Sequence, residues 1–106
     1  MGMLTYDVVH KVEFDDRSLA HLQMVIATKL RRGESFNFSW VKDPSVGSGR
    51  TTIWMHPAIP LVYDFEGSRN PTMNRAWIEA LMVTANSSAG LVLVAEPSEN
   101  AAVSAV

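Results

Sequence analysis

The spacing of hydrophobic and polar residues changes several times along the chain and divides it into strands and helices. Residues 3–9 and 10–14 are rich in strand-forming side chains and are interpreted as a hairpin. Behind Asp15 and Asp16, whose carboxylates suit a helix N-terminus, hydrophobic residues recur at helical intervals to about Arg32. The sequence therefore predicts a first helix directly after the hairpin.

The middle of the chain returns to a period of two, which is typical of strands. Aromatic side chains occupy alternate positions within residues 35–41, and residues 51–56 and 61–65 continue as strands. Glycines and a proline give residues 43–50 the chemistry of a hairpin loop, and two further prolines separate the second and third of these strands. Three strands are predicted here.

The last third of the sequence predicts one helix and one strand. Asn70 and Pro71 suit a helix start, and a hydrophobic stripe of helical period follows as far as Ala85. The apolar run 91–95 is interpreted as a buried central strand. The order ββαβββαβ predicts an α+β fold, a two-layer sandwich with a mainly antiparallel sheet and both helices on one face.

The chain is expected to form one domain. At 106 residues one hydrophobic core is sufficient, and we place the domain at residues 1–97. Residues 98–106 lack a hydrophobic period and aromatic side chains, so we expect a flexible C-terminal tail.

Composition narrows the classes of function. Charged residues make up only 19% of the chain, which indicates that a second copy or another partner covers some apolar surface. The net charge of −2 argues against nucleic-acid binding through overall charge, although a local basic patch remains an alternative. The absence of cysteine excludes disulfides and thiolate sites. No stretch is long and apolar enough to span a bilayer, so we expect a cytoplasmic protein without a membrane partner.

Signals for catalysis or metal binding are weak. The segment GSGRTT at 47–52 is similar to the end of a phosphate-binding loop, but it lacks the required lysine and runs into a strand. We keep Ser48 and Arg50 as a weak anion site and as the basis of a less favoured enzyme hypothesis. The histidines are scattered and no serine has nucleophile-elbow neighbours, so we expect no metal, no cofactor and no catalytic residue.

The candidate binding residues are mostly basic and lie at predicted element ends or in loops. We expect them to converge at one edge of the sheet, where they would make a patch for anions or nucleic acid. The members of this patch are Ser48 and the basic residues Arg31, Arg32, Lys42, Arg50, Arg69 and Arg75.

Trp54 and His56 share one face of a strand whose other face is also apolar. We therefore assign these two residues to an interface with a second copy or a protein partner.

Four stretches of the chain are similar to segments of a known protein family. They are FDDRSLAHLQ at 14–23, KLRRGESF at 29–36, DPSVGSGR at 43–50 and NRAWIEAL at 74–81. They resemble a family of short uncharacterised bacterial proteins that is often labelled ATP-dependent DNA ligase. Such a ligase implies a lysine within a Lys-x-Asp-Gly motif, which takes up AMP, in a much longer chain. Lys11, Lys29 and Lys42 all lack these neighbours, so no catalytic residue is carried over.

These observations favour a non-catalytic binding module that assists a nucleic-acid transaction through its basic edge. The first alternative is a structural or regulatory protein that binds only proteins, including a second copy of itself, through Trp54. The second alternative is an enzyme whose phosphate-bearing substrate is held by Ser48 and Arg50.

Overall fold

The computed structural model describes residues 1–41, 47 and 49–98. Its elements are β1 (Gly2–Tyr6), β2 (His10–Phe14), α1 (Asp16–Arg31), β3 (Phe36–Val41), β4 (Arg50–Met55), β5 (Leu61–Asp64), α2 (Arg75–Ala85) and β6 (Leu91–Val92). The predicted α+β class and the order ββαβββαβ are confirmed. The predicted tail beyond Ser98 and most of the predicted loop before β4 lie outside the described residues.

The strands form two three-stranded sheets instead of one continuous sheet. The first has the order β2-β1-β5 and is antiparallel, and in the second β3 pairs with β4 antiparallel and with β6 parallel. The change of sheet occurs between β4 and β5, where Pro57 and Pro60 have no N–H to donate to a ladder. The carbonyl of Pro60 instead accepts the N–H of Asp7 at 3.0 Å, and Leu61 then pairs with Tyr6.

Helix α1 begins as the sequence predicts, with Asp15 as its cap. The Asp15 carboxylate accepts the backbone N–H of Ser18 at 3.0 Å and the Ser18 hydroxyl at 2.7 Å. Asp16 has a different partner, because its carboxylate accepts the backbone N–H groups of Glu66 and Gly67 at 3.1 and 2.8 Å. The start of α1 is thereby tied to the chain that follows β5.

The predicted start of α2 at Asn70 is wrong, because the helix begins at Arg75. Its N-cap is Asn74, whose side-chain oxygen accepts the N–H groups of Ala76 and Trp77 at 3.0 and 3.4 Å. Asn70 and Asn74 both have side chains that can cap a helix. Asn74 is the one used, and its backbone N–H and side-chain amide are also hydrogen-bonded, to His21 and Glu96 respectively.

The interpretation of residues 91–95 as a central strand is also wrong. Strand β6 has only two residues, lies at the edge of the second sheet, and exposes Val92. Its pairing with β3 ends early because the chain turns onto α2, where the carbonyl of Val94 accepts the indole N–H of Trp77 at 2.9 Å.

The core lies between the two helices and the inner faces of both sheets. Phe36 and Phe38 of β3 are buried and Trp40 is partly buried, so this aromatic row faces the core. The ring centroid of Phe14 on β2 lies 6.0 Å from that of Phe38, so aromatic contacts join the two sheets. The other large buried side chains are Leu4, Leu19, Leu22, Val25, Ile26, Met55, Trp77, Leu81 and Leu91.

Candidate binding surface

Alternate residues of β3 and β4 lie on the side of the second sheet away from the aromatic core row, and we call this side the outer face. Antiparallel register places its members directly opposite each other across the two strands, so each pair shares that face. The pairs are Asn37 with Trp54, Ser39 with Thr52, and Val41 with Arg50. The face therefore combines one large aromatic ring, one cation and several hydrogen-bonding groups.

Trp54 is the largest group on the outer face, and about half of it is exposed (51%). Its backbone is fixed to the first sheet, because the Tyr6 hydroxyl donates a 2.5 Å hydrogen bond to the Trp54 carbonyl. Among the described residues, strand β4 is an edge strand whose backbone is paired with β3 on one side. An exposed indole on a backbone held in place is well suited to contact a flat or apolar partner.

Polar side chains continue along the strand from the indole. Thr52 lies two residues from Trp54, about 7 Å along the strand, and its hydroxyl is 2.7 Å from that of Ser39. Arg50 is two residues further on and is exposed. Among the residues that the structure describes, Arg50 has no carboxylate within ion-pair distance, so its guanidinium is available to an anion.

A cleft of about 920 Å³ opens at the end of the second sheet, where β2 of the first sheet faces it. Its lining residues are Met1, His10, Lys11, Val12, Glu13, Phe14, Ser39, Trp40, Val41, Arg50, Thr51, Val92 and Leu93. Ser39, Val41 and Arg50 belong both to the cleft and to the outer face, so the two surfaces meet at these residues.

Aromatic side chains form one wall of the cleft. The Trp40 ring centroid lies 6.2 Å from that of Phe14 in an edge-to-face contact and 5.1 Å from that of Phe38. The exposed His10 ring lies 6.3 Å from Trp40. The wall is thus an extension of the hydrophobic core that reaches the surface of the cleft.

Sequence reasoning missed Lys11, Trp40 and His10 as cleft residues. Their alternation along β2 and β3 predicted which way each side chain points, but not that β2 would face the end of the second sheet. That approach depends on the division of the strands into two sheets.

The remaining basic candidates described by the structure lie on other elements. Arg31 and Arg32 are exposed at the end of α1, and Arg69 is exposed between β5 and α2. Arg75 is the exposed first residue of α2 and forms an ion pair with Glu79 at 3.2 Å. Of the basic candidates in the described ranges, Arg50 is the one that shares a face with Trp54.

Two candidates, Lys42 and Ser48, lie outside the described residues. His56 follows β4 and is exposed, and its Nδ1 accepts the backbone N–H of Ala58 at 3.0 Å. His56 therefore stabilises the turn after β4, two residues beyond Trp54.

A second polar constellation, which we call the polar cluster, consists of Arg17, His21, Asn74 and Glu96. The Arg17 guanidinium donates to both carboxylate oxygens of Glu96 at 2.8 and 2.6 Å, and the Asn74 side chain donates to the same carboxylate at 2.8 Å. These bonds, chiefly those from Arg17, lower the pKa of Glu96 to about 2. The cluster joins α1, the start of α2 and the chain after β6, so it has a structural role.

No group of three or more histidine, aspartate or glutamate side chains in the described ranges is placed to hold a metal ion. Within the same part of the chain, no helix has the length and apolar character needed to cross a membrane.

The architecture and the outer face define a small α+β protein that presents an open sheet surface. The model of a family described as a domain of unknown function (DUF7882) matches residues 1–96, and the chain belongs to this family. This confirms the expected membership in an uncharacterised family. Neither the curated proteins nor the solved structures include a match to the chain.

Proposed function

We propose that this protein is a non-catalytic binding module whose outer face binds single-stranded nucleic acid. The observation that carries the proposal is the row Arg50, Thr52 and Trp54 on the exposed side of one edge strand. The indole offers a stacking surface to a base, and the guanidinium pairs with a phosphate of the same strand.

The spacing of the row supports this mode of binding. Arg50 and Trp54 are four residues apart, about 13 Å along an extended strand, which leaves room for two successive nucleotides. Between them, Thr52 and Ser39 provide hydroxyl groups, and Asn37 lies directly opposite Trp54. These side chains are suited to hydrogen bonds with base edges or sugars.

The charge of the surface sets the expected strength of binding. With one arginine on the outer face and Lys11 in the adjoining cleft, few phosphates are neutralised. The dependence on salt should therefore be shallow, with a slope of about −1 to −2 in log K against log salt. Stacking, more than charge, is expected to supply the affinity.

The resemblance to proteins labelled ATP-dependent DNA ligase is consistent with a nucleic-acid partner, and bacterial origin is part of the same proposal. Ligation itself is not proposed, because Lys11, Lys29 and Lys42 lack the neighbours of an AMP-accepting lysine. The phosphate-binding enzyme has less support, since the segment at 47–52 lacks the lysine of a phosphate-binding loop.

Titration of fluorescently labelled oligonucleotides tests the proposal. Single strands and duplexes of the same sequence are compared at two salt concentrations, with anisotropy as the readout. We expect saturable binding of the single strand, weaker binding of the duplex and a shallow salt slope. Absence of binding to either form at low salt contradicts the nucleic-acid proposal.

Self-association through the same face is a second candidate. Val41 and Val92 are exposed on β3 and β6, at 79% and 39%, and no second strand in the described part of the chain pairs with β4. Trp and Arg are also residue types that concentrate binding energy in protein interfaces. Light scattering tests this candidate: a dimer that becomes monomeric in Trp54→Ala supports it, and a monomeric wild-type chain contradicts it.

A further inference from the structure

We propose that the cleft between β2 and the end of the second sheet binds a small aromatic anion, a molecule with a planar apolar body and one carboxylate or phosphate group. The site is distinct from the Trp54 end of the outer face, and it does not depend on the nucleic-acid proposal.

The dimensions and walls of the cleft fit such a ligand. Its volume of about 920 Å³ lies within the roughly 300–1,000 Å³ of typical small-molecule sites. Val12, Trp40 and Leu93 give it apolar walls, and the edge-to-face contact of Trp40 with Phe14 holds the indole in one orientation. A planar ring is the shape that stacks on such a wall with the least loss of conformational freedom.

The charges of the cleft indicate that the ligand is an anion. Lys11 and Arg50 are exposed in its lining, and neither has a carboxylate partner among the residues that the structure describes. Met1 also lines the cleft, but its N-terminal ammonium is paired with Glu66, and Glu13 is the acidic residue of the lining. The lining therefore contains two cations without a described partner and one carboxylate, which favours a ligand with one anionic group.

Arg50 is the residue of the lining best suited to hold the anionic group. Its planar guanidinium presents parallel N–H groups that match the two oxygens of a carboxylate or phosphate, and Thr51 and Ser39 add hydroxyl groups nearby. A ligand whose apolar ring packs against Trp40 and whose charged group lies near Arg50 and Lys11 uses both the apolar wall and the cations of the cleft.

Amide NMR titrations with matched probes test this inference. The anions are indole-3-acetate and phenyl phosphate, and the neutral counterparts are indole-3-acetamide and phenol. We expect at least one anion to shift the resonances of Val12, Leu93 and the Trp40 indole N–H. Its neutral counterpart should bind with at least tenfold lower affinity. Shifts centred on Trp54, equal binding of anion and neutral probe, or no shifts with either anion overturn the inference.

Charge-removing variants give a second readout with a control for folding. Lys11→Gln and Arg50→Gln each replace an exposed side chain, so the fold should be retained, which thermal melting checks. Each variant should weaken the anionic probe by about 2- to 5-fold and the pair by about 4- to 25-fold, because each exposed charge contributes up to ~1 kcal/mol. Arg75→Gln, a distant exposed arginine, should leave affinity unchanged. Full affinity in the double variant overturns the inference, whereas failure of oligonucleotide binding leaves it standing.

Discussion

The backbone N–H of Asn74 donates a 2.8 Å hydrogen bond to Nε2 of His21, a side chain with no exposed surface. Because Nε2 accepts, the ring proton lies on Nδ1, which is 2.7 Å from the carbonyl oxygen of Arg17 and donates to it. The Trp77 ring packs over the same imidazole with centroids 4.5 Å apart. A single neutral histidine thus connects α1 with the start of α2.

Replacing this histidine by an apolar side chain should destabilise the fold. His21→Leu fills a similar volume but leaves the buried N–H of Asn74 without its acceptor, and we expect a loss of about 1–3 kcal/mol in the free energy of unfolding. Urea denaturation followed by circular dichroism measures the change. His10→Leu, at an exposed histidine, is the control and should change stability by less than about 0.5 kcal/mol. Equal stability of the two variants contradicts a structural role for the Asn74 bond.

Glu96 should make stability depend on pH in the acidic range. Hydrogen bonds from Arg17 and then Asn74 lower the pKa of Glu96 from 4.5 to about 2. Because the folded-state pKa lies below that of the unfolded chain, the stabilisation is fully present above about pH 4.5 and is lost as the pH falls toward about 2. We therefore expect the free energy of unfolding to decrease across this window.

Glu96→Gln removes the titrating group and should flatten part of that decrease. The pKa values of Asp15, Asp16 and Glu34 are also lowered by hydrogen bonds, so some acid sensitivity should persist in the variant. Urea titrations from about pH 6 to about pH 2.5 measure the difference between the two proteins. A stability difference between wild type and variant that stays constant with pH contradicts the role given to Glu96.

Gly90 directly precedes β6 and lies against Asn37 of β3, so its substitution should be costly. Its φ is +90°, and a Cβ atom there would lie 2.4 Å from the carbonyl oxygen of Asn37. Gly33 also has a positive φ, +75°, but a Cβ there would meet no atom within 4 Å. Gly33→Ala should therefore lose only the backbone cost of about 1 kcal/mol, and Gly90→Ala clearly more, as measured by thermal melting. Equal losses would show that the approach to Asn37 is not a constraint.

Local signals predicted much of the fold. The alternation within residues 35–41 correctly predicted a strand, and Phe36 and Phe38 lie buried on one side of it, because a strand turns every second residue to the same side. Asp15 was identified as a cap because its carboxylate bonds within its own helix turn. Such features depend on neighbours a few residues away, which the sequence displays directly.

The features that sequence reasoning missed depend on distant partners. Asn70 and Asn74 have the same capping chemistry, and only the bond from Asn74 to His21 in α1 distinguishes them. The run at 91–95 has the composition of a central strand, but the Val94 carbonyl accepts a hydrogen bond from the Trp77 indole of α2 instead of one from a neighbouring strand. The cleft likewise requires two sheets to meet, which no local pattern indicates.

The outer face is tested most directly by comparing single-strand affinity in wild type, Trp54→Ala and Trp54→Phe. Loss of one stacked base costs about 1–3 kcal/mol, so Trp54→Ala should weaken binding about 5- to 150-fold and Trp54→Phe considerably less. Val62→Ala is the control, because Val62 is similarly exposed (50%) on an edge strand of the first sheet. We predict that Val62→Ala binds like the wild type; equal affinity of Trp54→Ala and wild type, with both proteins folded, would contradict recognition through Trp54.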